Sequence, residues 1–127
     1  MTPEQVAKSG TEHAHQSALF LWFAYQLHKW PELKYAFAIP NGGKRDKITA
    51  AKLKAEGVKS GTSDIMIPVA RRGFHGFFLE MKKPGERSGE SEKQKEFGAG
   101  VEGQGYFYAV CEHWEEAAHL VSWYMGE

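Results

Sequence analysis

Hydrophobic and polar positions in this chain follow two periods, one helical and one of strand type. From Glu12 to Trp30 (EHAHQSALFLWFAYQLHKW) the spacing predicts a helix, with Thr11 as its N-cap and Pro31 as its stop. Ala14, Ala18, Leu21, Trp22 and Tyr25 recur at helical intervals and form the expected core-facing stripe. Tyr35–Ile39 is a short apolar run of strand type, closed by the turn residues Pro40-Asn41-Gly42-Gly43. Asp46–Glu56 predicts a short amphipathic helix, with Gly57 suited to its C-terminal cap. Two strands, Ile65–Val69 and His75–Lys82, flank Arg71-Arg72-Gly73 and predict a hairpin. Pro68 cannot donate to a ladder, so the first of them lies at an edge or ends there.

After the breaker Pro84-Gly85, Ser88–Phe97 predicts the start of a helix. Tyr106–Cys111 is a nearly all-apolar strand, the pattern of one covered on both faces. Trp114–Tyr124 is a last amphipathic helix that offers Ala117, Ala118, Val121 and Trp123 or Tyr124 to the core. The expected order is α-β-α-β-β-α-β-α, an α/β fold with a small mixed sheet flanked by helices on both faces.

A length of 127 residues, with no repeat and no linker, fits a single domain over 1–127. A hydrophobic fraction of 42% argues against disorder. The single cysteine, Cys111, excludes a disulfide framework or a Cys-rich zinc module and favours a reducing compartment. Its place inside an apolar strand predicts a buried, inert thiol. The longest strongly apolar stretch, Ala18–Leu27, falls short of the roughly 20 residues a bilayer span needs. The opening MTPEQVAKSGTEH has no apolar segment behind a basic one, so neither a membrane span nor a secretory signal is expected.

Sixteen basic and sixteen acidic residues give zero net charge, which at first argues against a nucleic-acid protein. The zero is a cancellation. Residues 44–95 hold thirteen bases and seven acids, a net +6, while 96–127 hold six acids and no Lys or Arg, a net −6. A solvated mixed surface and a basic middle that meets an anion both satisfy those counts.

The second hairpin strand decides the chemistry. Phe77, Leu79 and Met81 share one face and are uniformly apolar, whereas Phe78, Glu80 and Lys82 share the other. Charges on so hydrophobic a strand are costly unless they pair or hold a metal. Asp64 opens the preceding strand, and an antiparallel hairpin turning near Gly73 brings it to Glu80 and Lys82. Two carboxylates offer oxygen ligands to a hard divalent cation such as Mg²⁺. A lysine beside the attacking water can orient it and stabilise the charge of a phosphodiester transition state. Asp…Glu-x-Lys is a short pattern, equally read alone as a cross-strand Glu80–Lys82 pair with Asp64 capping a turn.

Lys59-Ser60-Gly61-Thr62-Ser63-Asp64-Ile65-Met66, then Phe78-Leu79-Glu80-Met81-Lys82, then Ser88 to Gln94, together resemble the VRR-NUC family. These are virus-type replication-repair nucleases of the PD-(D/E)xK superfamily, which has a restriction-endonuclease-like core. Further matches are Glu12 and Gln16 on the first helix, Asn41-Gly42 before the basic helix, and Gly85 or Gly89 with Ser91 and Gln94 after the Glu-x-Lys strand. Ser63 stands where the superfamily has a backbone-shaping proline. The resemblance implies Asp64 and Glu80 as metal-ligating acids, the Met81 carbonyl as a further ligand, and Glu12 reaching the metal directly or through water. It implies Lys82 as the catalytic lysine and Gln94 as the residue that positions Lys82 or the scissile phosphate.

The implied activity is Mg²⁺- or Mn²⁺-dependent hydrolysis of DNA, by a homodimer acting on branched DNA such as a four-way (Holliday) junction. Small relatives of this kind are phage or bacterial enzymes, which implies the cytoplasm of a bacterial or phage-infected cell. Asn41, Lys44, Arg45 and Lys59 are the expected DNA contacts. Two other functions stay open at this level: a non-catalytic DNA-binding module with the same fold, and a nuclease acting on flaps, plain duplex or single strands.

The remaining candidates are bland. The six histidines show no ligand spacing, and His13 and His15 point to different helix faces. Gly42-Gly43-Lys44 lacks the rest of a P-loop. The aromatic residues belong mainly to the core, with one or two available to stack on bases. Aromatics on more than one side of Trp114–Tyr124 suit either packing or a dimer surface.

Overall fold

A computed structural model describes residues 1–40 and 46–126. The chain opens with a short helix the hydrophobic pattern did not predict, α1 (Pro3–Val6). Thr2 and Gln5 close a reciprocal capping box around it. Helix α2 (Glu12–Gln26) starts where expected, with Thr11 Oγ1 accepting from the Ala14 amide at 3.0 Å. It ends before Trp30, and Pro31 begins a 3₁₀ turn over Pro31–Tyr35 instead of closing the helix directly. That turn takes up residues expected in a strand, and β1 shrinks to Phe37–Ala38, an exposed edge strand.

Helix α3 (Lys47–Ala55) is capped by Asp46, and Gly57 follows with φ +100° in the left-handed region. Strands β2 (Ile65–Ile67) and β3 (Phe77–Met81) form the predicted hairpin, antiparallel in the register Ile65–Leu79, Met66–Phe78 and Ile67–Phe77. β2 lies inside the sheet and stops just before Pro68, so of the two roles open to that proline the terminating one holds.

Helix α4 (Glu92–Gly103) begins later than expected. Residues Arg87–Gly89 form a separate 3₁₀ turn, and Ser91 is the N-cap, in a capping box with Gln94. Strand β4 (Phe107–Cys111) runs parallel to β3 and closes the order β1-β2-β3-β4. Four of its five residues are only half-buried, because it is an edge strand and not one sealed on both faces. Helix α5 (Trp114–Met125) completes the chain, and Ala117, Ala118, Val121 and Tyr124 are buried as predicted.

α2 and α5 cover one face of the sheet. Leu19 and Phe23 of α2 and Val121 and Tyr124 of α5 pack there against Ile65, Ile67, Phe77, Leu79 and Met81. The buried stripe of α2 is Ala14, His15, Ala18, Leu19 and Phe23. Leu21 and Trp22 are half-buried and Tyr25 is exposed, a rotation from the expected stripe. That helix is apolar almost all round, so hydrophobicity alone does not set its phase; the position of α5 and β3 does. α4 covers the opposite face, where Phe97 meets Phe78 edge-on with centroids 5.2 Å apart. Among the described residues no helix is long and apolar enough to cross a membrane.

Candidate active site

The pleat of β3 sends Glu80 away from the apolar core and toward α4, yet the residue is only 2% exposed. Continuing the β2–β3 register by one residue sets Asp64 opposite Glu80. Asp64 is anchored there from both ends. Its Oδ2 accepts from the Met81 amide at 2.7 Å, and its own carbonyl accepts from the Ile39 amide at 2.7 Å. Lys82 extends the ladder on the other side, donating its amide to the Cys111 carbonyl at 2.7 Å.

Gln94 joins these groups. Its Oε1 accepts from Lys82 Nζ at 2.9 Å and from the Ser91 amide at 2.9 Å, while its Nε2 donates to Glu80 Oε2. Lys82 Nζ is also 3.3 Å from Glu80 Oε2. The other carboxylate oxygen, Glu80 Oε1, is buried and faces no donor. Burial above all, then the charge of Asp64 and a hydrogen bond with the Asp64 carboxyl, push the Glu80 pKa up to about 8, against the pull of Lys82.

Glu12, in the first turn of α2, feels the same site. Partial desolvation and then repulsion from Asp64 raise its pKa, Lys82 opposes, and Glu86 in the loop after β3 adds to the rise. Among the described residues, however, no three His, Cys, Asp or Glu side chains stand close enough to enclose an ion. The fold thus brings Asp64, Glu80, Lys82 and Gln94 together and leaves Glu12 in electrostatic range, so the four-part ligand set is not closed by side chains alone. Met81 is tied to the site by its main chain, with its side chain fully buried in the core. Lys59 is exposed on the segment between α3 and β2. Asn41, Lys44 and Arg45 lie outside the described residues.

The sequence pattern matches Ser91 without giving it a role, and it does not single out Tyr108, Glu90 or Arg87. Ser91 fixes Gln94 through the reciprocal cap, and the spacing Ser91-x-x-Gln94 is the signal that reveals it. Behind the site, the Tyr108 hydroxyl donates to Glu90 Oε2 at 2.7 Å. Burial and then Glu90 raise its pKa, with a smaller push from Glu80 and Asp64. Arg87 secures the loop after Lys82, donating to the Val110 carbonyl at 2.6 Å and to both Glu116 oxygens. No local spacing announces those long-range contacts.

The bland expectations for Cys111 and the histidines hold. Cys111 is buried, and burial lifts its thiol to about 12, well away from nucleophilic use. His15 is a packing histidine, with Nδ1 accepting from the Trp114 amide at 3.1 Å, and the other five histidines are exposed. Trp123 is 39% exposed but lies against Phe107 and under the Arg72 guanidinium, 4.4 Å from its ring centroid.

No protein-family model matches this chain, and no curated protein sequence does. A solved structure described as a VRR_NUC domain protein does match. It is 30% identical, covers 92% of this chain and 91% of its own, and superimposes with a TM-score of 0.76. That likeness spans the sheet and the helices on both its faces, and it sets the fold among nuclease-type α/β domains. With that identity over that much of its length, the chain belongs to the VRR-NUC family.

Proposed function

We propose that this protein is a Mg²⁺- or Mn²⁺-dependent DNA endonuclease that hydrolyses phosphodiester bonds. The single observation that carries this reading is Glu80, a buried carboxylate with one oxygen lacking any donor, set against a second carboxylate, Asp64. An all-acceptor pair of this kind is costly as it stands and suits a hard cation. Asp64 and Glu80 would hold the ion, with Glu12 and the Met81 carbonyl as further donors. The bound ion would supply charge stabilisation at the phosphate and a lowered pKa for the attacking water.

The chain's own residues supply the rest. Lys82 has three N–H donors. One is committed to Gln94 Oε1 and one faces Glu80 Oε2, which leaves one for the attacking water or a phosphate oxygen. Gln94 holds that ammonium in place and at the same time donates to Glu80 Oε2, so the lysine is oriented before substrate arrives.

We further propose that the substrate is branched DNA such as a four-way junction and that two copies act together, because a two-fold protein matches a two-fold junction. The test is cleavage of labelled four-way, flap, duplex and single-stranded DNA in Mg²⁺, Mn²⁺ and EDTA, beside Asp64→Ala and Lys82→Ala. The expected result is metal-dependent cleavage that both substitutions abolish, strongest on the four-way junction. Cleavage that survives both substitutions overturns the assignment. Tight, salt-sensitive binding with no cleavage in either cation makes the protein a non-catalytic DNA-binding module instead.

A further inference from the structure

Next to the acidic site lies a cleft of about 830 Å³, walled on one side by α3 and on the other by α4. That volume falls within the roughly 300–1,000 Å³ of ordinary small-molecule sites. Helix α3 has no buried residue at all, yet its Ala50 and Leu53 face this space and not solvent alone. Across from them stand Phe97 and Val101 of α4. Leu53 is only partly covered, so this side of α3 presents apolar surface to the cleft.

The rim is cationic. Lys54, Lys59 and Lys93 border the cleft against one acid, Glu96. One lining residue, Thr62, has a hydroxyl that is buried and without a partner. Two of the segments that line the cleft also lead directly to proposed active-site residues. Thr62 precedes Asp64 by two residues, Lys93 adjoins Gln94, and Lys93 Nζ reaches back to Ser60 Oγ at 3.2 Å. Gly61 makes that junction tight: its φ is +82°, and a Cβ there would meet Lys93 Cβ at 2.5 Å.

We propose that this cleft receives an unpaired nucleotide of the DNA substrate, its base against Leu53, Val58 and Phe97 and its phosphate on Lys59 and Lys93. The inference rests on the nuclease reading above and goes beyond it, because it names a feature that distinguishes DNA with an unpaired nucleotide, as at a flap or an opened branch point, from plain duplex. A base inside a duplex has both faces covered by its neighbours, so only an unstacked base can offer a face to an apolar wall. The lysines supply the anion contacts that a purely apolar ligand would leave unused.

The probe is a fluorescein-labelled twelve-nucleotide deoxythymidine strand, compared by anisotropy in EDTA with the same strand carrying abasic sites at its centre. The base-bearing strand is expected to bind about tenfold tighter, the scale of one stacked base. Gly100→Gln fills the cleft without disturbing the fold, since a Cβ at Gly100 meets nothing within 4 Å and glutamine is the better helix former. In that variant the two strands should bind alike, while duplex affinity and Tm are kept. Leu53→Gln, read by the same ratio, should also reduce the preference.

Equal binding of the two strands by the parent protein overturns the proposal, and so does a preference that survives Gly100→Gln. If duplex is bound and cut without any discrimination of the base, the cleft assignment falls and the nuclease reading stands. If no DNA of any form binds, both fall.

Discussion

Glu80 is the residue at which stability and chemistry conflict. An isosteric Glu80→Gln replaces an oxygen that faces no donor with an amide that can donate toward Asp64. The variant should be more stable than the parent in EDTA, by about 1–2 kcal/mol, and inactive. The direction with pH follows from the raised pKa. The folded parent holds its proton more tightly than the unfolded chain, so it loses stability as pH rises from the ordinary carboxylate range toward 8. The gain from Glu80→Gln should therefore grow over that interval and level off above it, as thermal melts across pH 5–9 would show. Saturating Mg²⁺ should close the gap from the other side, by stabilising the parent alone. Gln94→Ala separates position from charge: Lys82 and both acids remain, but the ammonium loses its 2.9 Å acceptor. We expect kcat to fall by about 10- to 100-fold with little change in KM.

Two elements hold the site from opposite faces of the sheet. α4 carries Gln94, and its closeness to β4 depends on Gly98, where a Cβ would meet the Tyr108 ring at 2.7 Å. Gly98→Ala should lift the helix, costing about 1–3 kcal/mol in denaturant unfolding and lowering cleavage although no site residue changes. On the other face, α2 brings Glu12, and His15 one turn later ties that helix to the start of α5. His15 accepts the Trp114 amide only as a neutral ring. Burial first, then the nearby His113, lower its pKa, while Glu115 opposes. Its contribution is fully present above the ordinary histidine pKa and is lost as pH falls through the lower folded value. Tm should accordingly drop on the acid side of about 6.5, and His15→Ala, less stable at neutral pH by about 1–3 kcal/mol, should show a flatter acid limb.

For the whole molecule the balance of charge is biased along the chain. The net +6 of residues 44–95 belongs to the segment that contains Asp64, Glu80 and Lys82, and the final 32 residues carry −6. Lys59→Ala should weaken DNA binding across sequences and reduce its salt slope by about one. Glu102→Lys, on the exposed far end of α4, should change affinity far less, since it lies eight residues along that helix from Gln94. Comparable effects from the two would mean that DNA is not confined to the basic side.

Much of this was legible in the chain. Thr11 as a cap, the alternation Phe77 to Lys82 and the turn at Gly73 follow local rules, and together they place Asp64 opposite Glu80. The approach of Gln94 to Lys82 was implied by family resemblance, and its cause, the Ser91 capping box, was present in the spacing. The start of β1, the phase of α2 and the exposure of β4 were not legible, because apolar residues lie on several sides of each and only a packing partner chooses among them. The sequence by itself determined the order of elements from α2 onward, the hairpin and the identity of the polar residues on its outer face, since those depend on neighbours a few positions away. Tertiary structure alone decided that Glu80 is buried with an unmet oxygen, that Glu12 stays at electrostatic range, and that α3 and α4 leave a cleft beside the acids. Burial and distance across the sheet are set by segments far apart in the chain, and no local pattern encodes them.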